Sequence, residues 1–153
     1  MEYDFSLLKE IFTYDIARDN LKYDIENALN NQYIADVSVK FENMTDHLAT
    51  MVIIVKMTER DCSQKDIENI VRSYARAKRI CIPEYFDDVS NELIAEALDD
   101  YITYDYDYLR RKMPEFVKDF VKNSLFGTGV SASFDIINKC EKDKFAVDVV
   151  FSI

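Results

Sequence analysis

Glycine is nearly missing from this chain: 153 residues contain only Gly127 and Gly129. A phosphate-cradling loop needs several backbone positions free of Cβ, so neither a P-loop nor a dinucleotide fingerprint can be written here. Histidine is scarcer still. A Ser–His–Asp or Cys–His site would have to use His47, which lies beside Asp46 in a stretch that reads as a solvated hairpin turn. Cysteine is limited to Cys62, Cys81 and Cys140, with no C-x-x-C. A zinc site would need these scattered positions to converge with His47, and no local spacing supports that. An odd cysteine count without a disulfide framework indicates a reducing compartment. No apolar run approaches the roughly 18 residues of a membrane helix, and the start of the chain lacks the basic and apolar regions of a secretory signal. The expected location is the cytoplasm, with no membrane partner.

Positive charge is also short. Nineteen Lys and Arg face 29 Asp and Glu, for a formal net charge of −10. Charge of this sign repels a phosphate backbone at long range, which disfavours general nucleic-acid binding. It favours rapid association with basic partners. Carboxylates are so abundant that a single pairing carries little information. Asp105-x-Asp107 would offer two carboxylates on one side of an extended chain to a divalent cation. No enzyme motif, cofactor site or metal site is expected.

Hydrophobic residues at 48% and charged residues at 31% suit a globular chain, and the length suits a single α+β domain spanning 1–153. Leu7, Leu8, Ile11 and Phe12 repeat at helical spacing with Ser6 as cap, and a second helix runs from about Asp19 to Asn30-Asn31. Tyr33, Ala35, Val37, Val39 and Phe41 then alternate with polar residues, and a polar turn leads to the more apolar run Leu48–Met57. This predicts a hairpin over about 33–57. Val130, Ala132, Phe134 and Ile136, then Phe145, Val147, Val149, Phe151 and Ile153, predict a second hairpin over about 130–153, with a charged turn at Asn138–Asp143. Each hairpin follows a helix. The expected fold is a four-stranded antiparallel sheet made from the two hairpins, with a helical insertion over 58–113 between them.

Within that insertion, Ser63 caps a helix whose apolar stripe is Ile67, Ile70, Val71 and Tyr74. A further helix is expected from Asp88 to Ile102, an ambiguous corner over Tyr104–Tyr108, and a new helix opening at Pro114 and capped by Gly127. Three features stand out. Lys65, Arg72, Arg76 and Arg79 form a basic stripe, the candidate anion site under a less favoured nucleic-acid reading. Asp88, Glu92, Glu96 and Asp99 form an acidic stripe on the next helix, which either pairs with the basic one or stays free to bind. Asp99, Asp100, Tyr104, Asp105, Tyr106, Asp107 and Tyr108 interleave carboxylates with tyrosines, a composition suited to interface contacts.

These features point to a non-catalytic binding or inhibitor protein that captures a basic protein surface through the Asp88/Glu92/Glu96 face and the Asp99–Tyr108 segment. A nuclease, a toxin or a nucleic-acid-handling complex presents such a surface. By size, charge and missing catalytic equipment, the chain is of the kind found in toxin-immunity proteins and phage inhibitors of bacterial defence. The alternative is a structural component that self-associates, as a homodimer, through sheet edges.

Overall fold

The computed structural model describes residues 5–130, 132–142 and 144–152. In chain order the elements are helices α1 (Ser6–Thr13) and α2 (Asp15–Ala28), strands β1 (Tyr33–Glu42) and β2 (Leu48–Glu59), helix α3 (Gln64–Lys78), a 3-10 turn (Phe86–Asp88), helix α4 (Asn91–Leu125), and strands β3 (Ser133–Asn138) and β4 (Phe145–Ser152). The strands form one antiparallel sheet in the order β1-β2-β4-β3. Its architecture is the expected one: two hairpins, each preceded by a helix, joined by the pairing of β2 with β4. Ile153 and Asp143, included in the second hairpin and its turn, lie outside the described residues.

The period-two pattern decides which face of the sheet is covered. Tyr33, Ala35 and Val37 of β1, Met51, Ile53 and Val55 of β2, and Val147, Val149 and Phe151 of β4 are buried on one face. Register keeps them together, with Met51 opposite Val149 and Ile53 opposite Val147. Onto this face pack Leu8 and Phe12 of α1, Leu21 and Ile25 of α2, and Met113, Val117, Phe120 and Val121 of α4, all buried. Phe12 links the layers, its ring centroid 5.4 Å from Phe120 and 5.7 Å from Phe151. On the opposite face Ile34, Leu48, Ile54 and Ile137 are exposed.

The chain forms two compact units: Met1–Glu59 with Leu109–Ile153, and Arg60–Tyr108. The first holds the sheet. The second is the helical insertion, and its limits fall within a few residues of the expected 58–113. α4 contributes to both.

The largest departure from expectation is α4. The Tyr104–Tyr108 stretch is helical, and Pro114 lies inside one 35-residue helix instead of opening a new one. A proline in a helix removes the N–H that would bond the carbonyl four residues earlier, here that of Arg110. Asn138, the last residue of β3, supplies a replacement: its Nδ2 donates to the Arg110 carbonyl at 3.0 Å. The Asn138 Oδ1 accepts from the Cys140 N–H at 2.9 Å, which holds the amide in that orientation. A donor from the sheet thus answers the acceptor that the proline leaves without its helical partner.

Smaller differences have local causes. α2 begins at Asp15, before the expected Asp19, and the Asp15 carboxylate in its first turn pairs with Arg18. Ser6 is the first helical residue, with Phe5 in the cap position and its side chain buried. Asn30 and Asn31 both take positive φ and end α2, as expected of asparagine. Gly127, at φ 77°, turns the chain just beyond α4. Among the described residues, no helix is long and apolar enough to cross a membrane.

Candidate functional site

All the residues singled out by charge and tyrosine content fall in the helical insertion. Its core is small. Val71 of α3, Phe86 of the 3-10 turn, Val89, and Ala97 of α4 are buried together, with Ile67, Ile70, Tyr74, Ile82, Leu93 and Ile94 packed against them. α3 presents the expected apolar stripe to this core. Ser63 caps it, its Oγ accepting from the Asp66 N–H at 3.2 Å. Ser90 does the same for α4, accepting from the Leu93 N–H at 3.2 Å.

The Ser90 cap alters the acidic stripe. Val89 is extended and Asp88 ends the 3-10 turn, so Asp88 lies outside α4 and does not continue its helical row. Glu92, Glu96, Asp99 and Asp100 do lie on α4, and all are exposed. The exposed row continues at helical spacing through Tyr104, 67% accessible, to Asp107. Helical phase also explains the fate of the remaining residues. Ala97, Tyr101 and Asp105 follow one another every fourth residue on the inner side, and Asp105 is buried at 9% accessibility. Tyr106 and Tyr108 are half-buried. Asp105 therefore presents no carboxylate to a partner, and the surface consists of Glu92, Glu96, Asp99, Asp100, Tyr104 and Asp107.

The cation reading of Asp105-x-Asp107 needed extended chain. On a helix the two side chains point roughly 200° apart, with Asp105 buried and Asp107 exposed. Among the described residues, no group of three or more His, Cys, Asp or Glu side chains is arranged to hold a metal ion.

The basic stripe is also changed. Lys65, Arg72 and Arg76 lie on α3, with Arg72 half-buried and the other two exposed. Arg79 lies past the helix end in the left-handed conformation, at φ 58° and ψ 41°, and the Ile80 N–H closes the turn on the Ala75 carbonyl at 2.8 Å. Arg79 is thus a cap residue and leaves the helical ladder. The two stripes are not ion-paired: among the described residues, no ion pair joins Lys65, Arg72, Arg76 or Arg79 to Asp88, Glu92, Glu96 or Asp99.

Beside the acidic row a groove of about 340 Å³ runs between α3 and α4, lined by Ile70, Tyr74, Lys78, Ala97, Asp100 and Tyr101 among others. Burial raises the Tyr101 hydroxyl above the usual tyrosine range, and the charge of Asp105 and then Cys62 and Asp66 push it the same way. Negative potential at that hydroxyl favours a cation nearby. Sequence reasoning missed this groove, because it depends on how two helices pack together whose nearest lining residues, Lys78 and Ala97, are well separated in the chain.

The remaining polar candidates occupy ordinary positions. His47 is exposed in the β1–β2 turn, where its N–H donates to Thr45 Oγ1. Cys62 and Cys81 are exposed. Cys140 is half-buried, donates from Sγ to the Ala146 carbonyl at 3.5 Å, and is pushed up from the usual thiol value mainly by burial. Comparison with known protein families, with characterised proteins and with solved structures finds no match to this chain.

Proposed function

We propose that this protein is a non-catalytic binding protein whose acidic α4 row captures a basic protein surface, in the manner of an inhibitor or immunity protein. One observation carries the reading: Glu92, Glu96, Asp99 and Asp100 form an exposed row to which, among the described residues, no cation is ion-paired. Unpaired charge on one rigid helix steers a basic partner and sets its orientation, while an internally paired stripe has little field left to offer. Tyr104 stands in the same row and adds aromatic area at low entropic cost. The neighbouring groove, with Tyr74, Tyr101 and Asp100, suits an arginine or lysine side chain of the partner. A nuclease, a toxin or a nucleic-acid-handling complex is the class of partner that presents such a surface.

The test is association with a basic protein immobilised on a sensor, at low and at physiological salt. Reversing Glu96, Asp99 and Asp100 together to lysine should slow association about tenfold or more at low salt, with a smaller effect once salt screens the charges. An association rate that ignores both salt and these substitutions removes the α4 row from the account.

A second reading, self-association, is favoured by the exposed apolar side chains Ile34, Leu48, Ile54 and Ile137 on one face of the sheet. Mass in solution separates the two, because a strict monomer over a wide concentration range leaves self-association without support.

A further inference from the structure

The sheet-bearing unit carries its own groove, of about 650 Å³, within the range typical of ligand sites. Ile11 of α1, Leu21 of α2 and Phe120 of α4 line it, together with Tyr14 and Ile16. Ile16 is 77% accessible and Tyr14 59%. Ile16 is the second residue of α2 and lies roughly half a turn around the helix from Ile25, the core residue, so helical phase directs it outward. Large apolar side chains in water beside an apolar groove are the mark of an interaction site rather than of a folding requirement.

The charge in this groove has one sign. Asp24 lines it, and among the described residues no ion pair involves Asp24. Asp24 is exposed, but partial desolvation beside the groove and then the like charge of Asp119 hold its carboxyl above its ordinary value. A cation placed there would relieve both effects, replacing lost hydration and offsetting the repulsion between the two carboxylates. The same charges argue against other occupants. A second copy would bring another formal −10 against the first, and an anionic lipid surface would be repelled likewise.

We infer that this groove binds a short amphipathic segment of a basic protein, with its apolar side chains against Ile11, Tyr14, Ile16 and Ala17 and one lysine or arginine set against Asp24. Helix-in-groove recognition of this kind uses apolar anchors at helical spacing and a charge to fix register. The site does not depend on the α4 row. A chain with both surfaces holds a basic partner at two places.

The probe is a short fluorescent peptide of leucine and lysine at amphipathic helical spacing, with a second peptide in which glutamine replaces every lysine. The parent should bind the lysine peptide, and Ile16→Gln and Asp24→Asn should each weaken it about tenfold. The glutamine peptide should bind far more weakly. Asp24→Asn should raise the melting temperature while weakening binding, so that lost affinity is separated from lost fold. Reversal of Glu96, Asp99 and Asp100 should leave groove binding within a few-fold of the parent. The inference is overturned if the parent fails to bind, if the two groove variants bind as tightly as the parent, or if the glutamine peptide binds equally well. It is also overturned if only the α4 reversal abolishes binding, which would assign the peptide to the acidic row instead.

Discussion

Asn138 and Pro114 show how far apart two residues that answer each other can be. Pro114 removes one helical donor, and Asn138 Nδ2 restores one from 28 positions away in sequence from the carbonyl it serves. Asn138→Ala should cost about 1 kcal/mol, a typical net value for one hydrogen bond. In a Pro114→Ala background the Arg110 carbonyl regains its helical N–H, so the same substitution should cost less. Chemical denaturation of the four proteins checks this, and strict additivity would contradict the pairing. Asp24 gives a second test at this scale. The residue is exposed, yet its native pKa is raised from 3.8 by partial desolvation and then by Asp119. The folded state therefore binds that proton more tightly than the unfolded chain, so stability falls as pH rises from about 3.8 through the native pKa. Asp24→Asn should be more stable than the parent at neutral pH, and the difference should close in acid as both states of the parent become protonated. Melting curves from neutral pH into acid would show it.

Among the elements, strands were the most legible. Their signal is local and dense: alternation from Tyr33 to Phe41 and from Phe145 to Phe151 names the buried face, and a slip of one residue would expose all of it. α3 was legible for the same reason, with a side-chain cap at Ser63 and a stripe at helical spacing. α4 was not. Pro114 is a local stop signal, and the compensation that overrides it lies in another element. A helix broken before Pro114 has no continuous phase, and only that phase distinguishes buried Asp105 from exposed Asp107. The edge of the sheet carries a further device that no local pattern shows. Glu26 of α2 is buried at 3% accessibility, and its carboxylate accepts from the Ala35 N–H of edge strand β1 at 3.2 Å and pairs with Lys22 at 3.1 Å. An edge donor engaged by a side chain is not available to another strand. Glu26→Ala leaves that donor without this acceptor and should cost roughly 1–3 kcal/mol, while Glu26→Gln, which keeps an acceptor, should cost less. Equal losses in a denaturant titration would show that the carboxylate's bond to β1 is not what stabilises the edge.

For the molecule as a whole, net charge was readable from composition, but its distribution was not. A formal −10 alone is compatible with a chain whose acidic and basic stripes neutralise each other. The fold does not ion-pair them: among the described residues no ion pair involves Glu92, Glu96, Asp99 or Asp100. We therefore propose that this row serves a partner rather than stability, to which exposed pairs contribute only about 0–1 kcal/mol each. The central claim is capture of a basic protein, and the most direct test is affinity capture from cells expressing the tagged chain, with nuclease added, compared with the Glu96→Lys, Asp99→Lys, Asp100→Lys variant. The expected recovery with the parent is one basic protein at near-equal stoichiometry, resistant to nuclease and lost with the variant. Recovery of the same protein by the variant, or of the tagged chain alone by the parent, would contradict it.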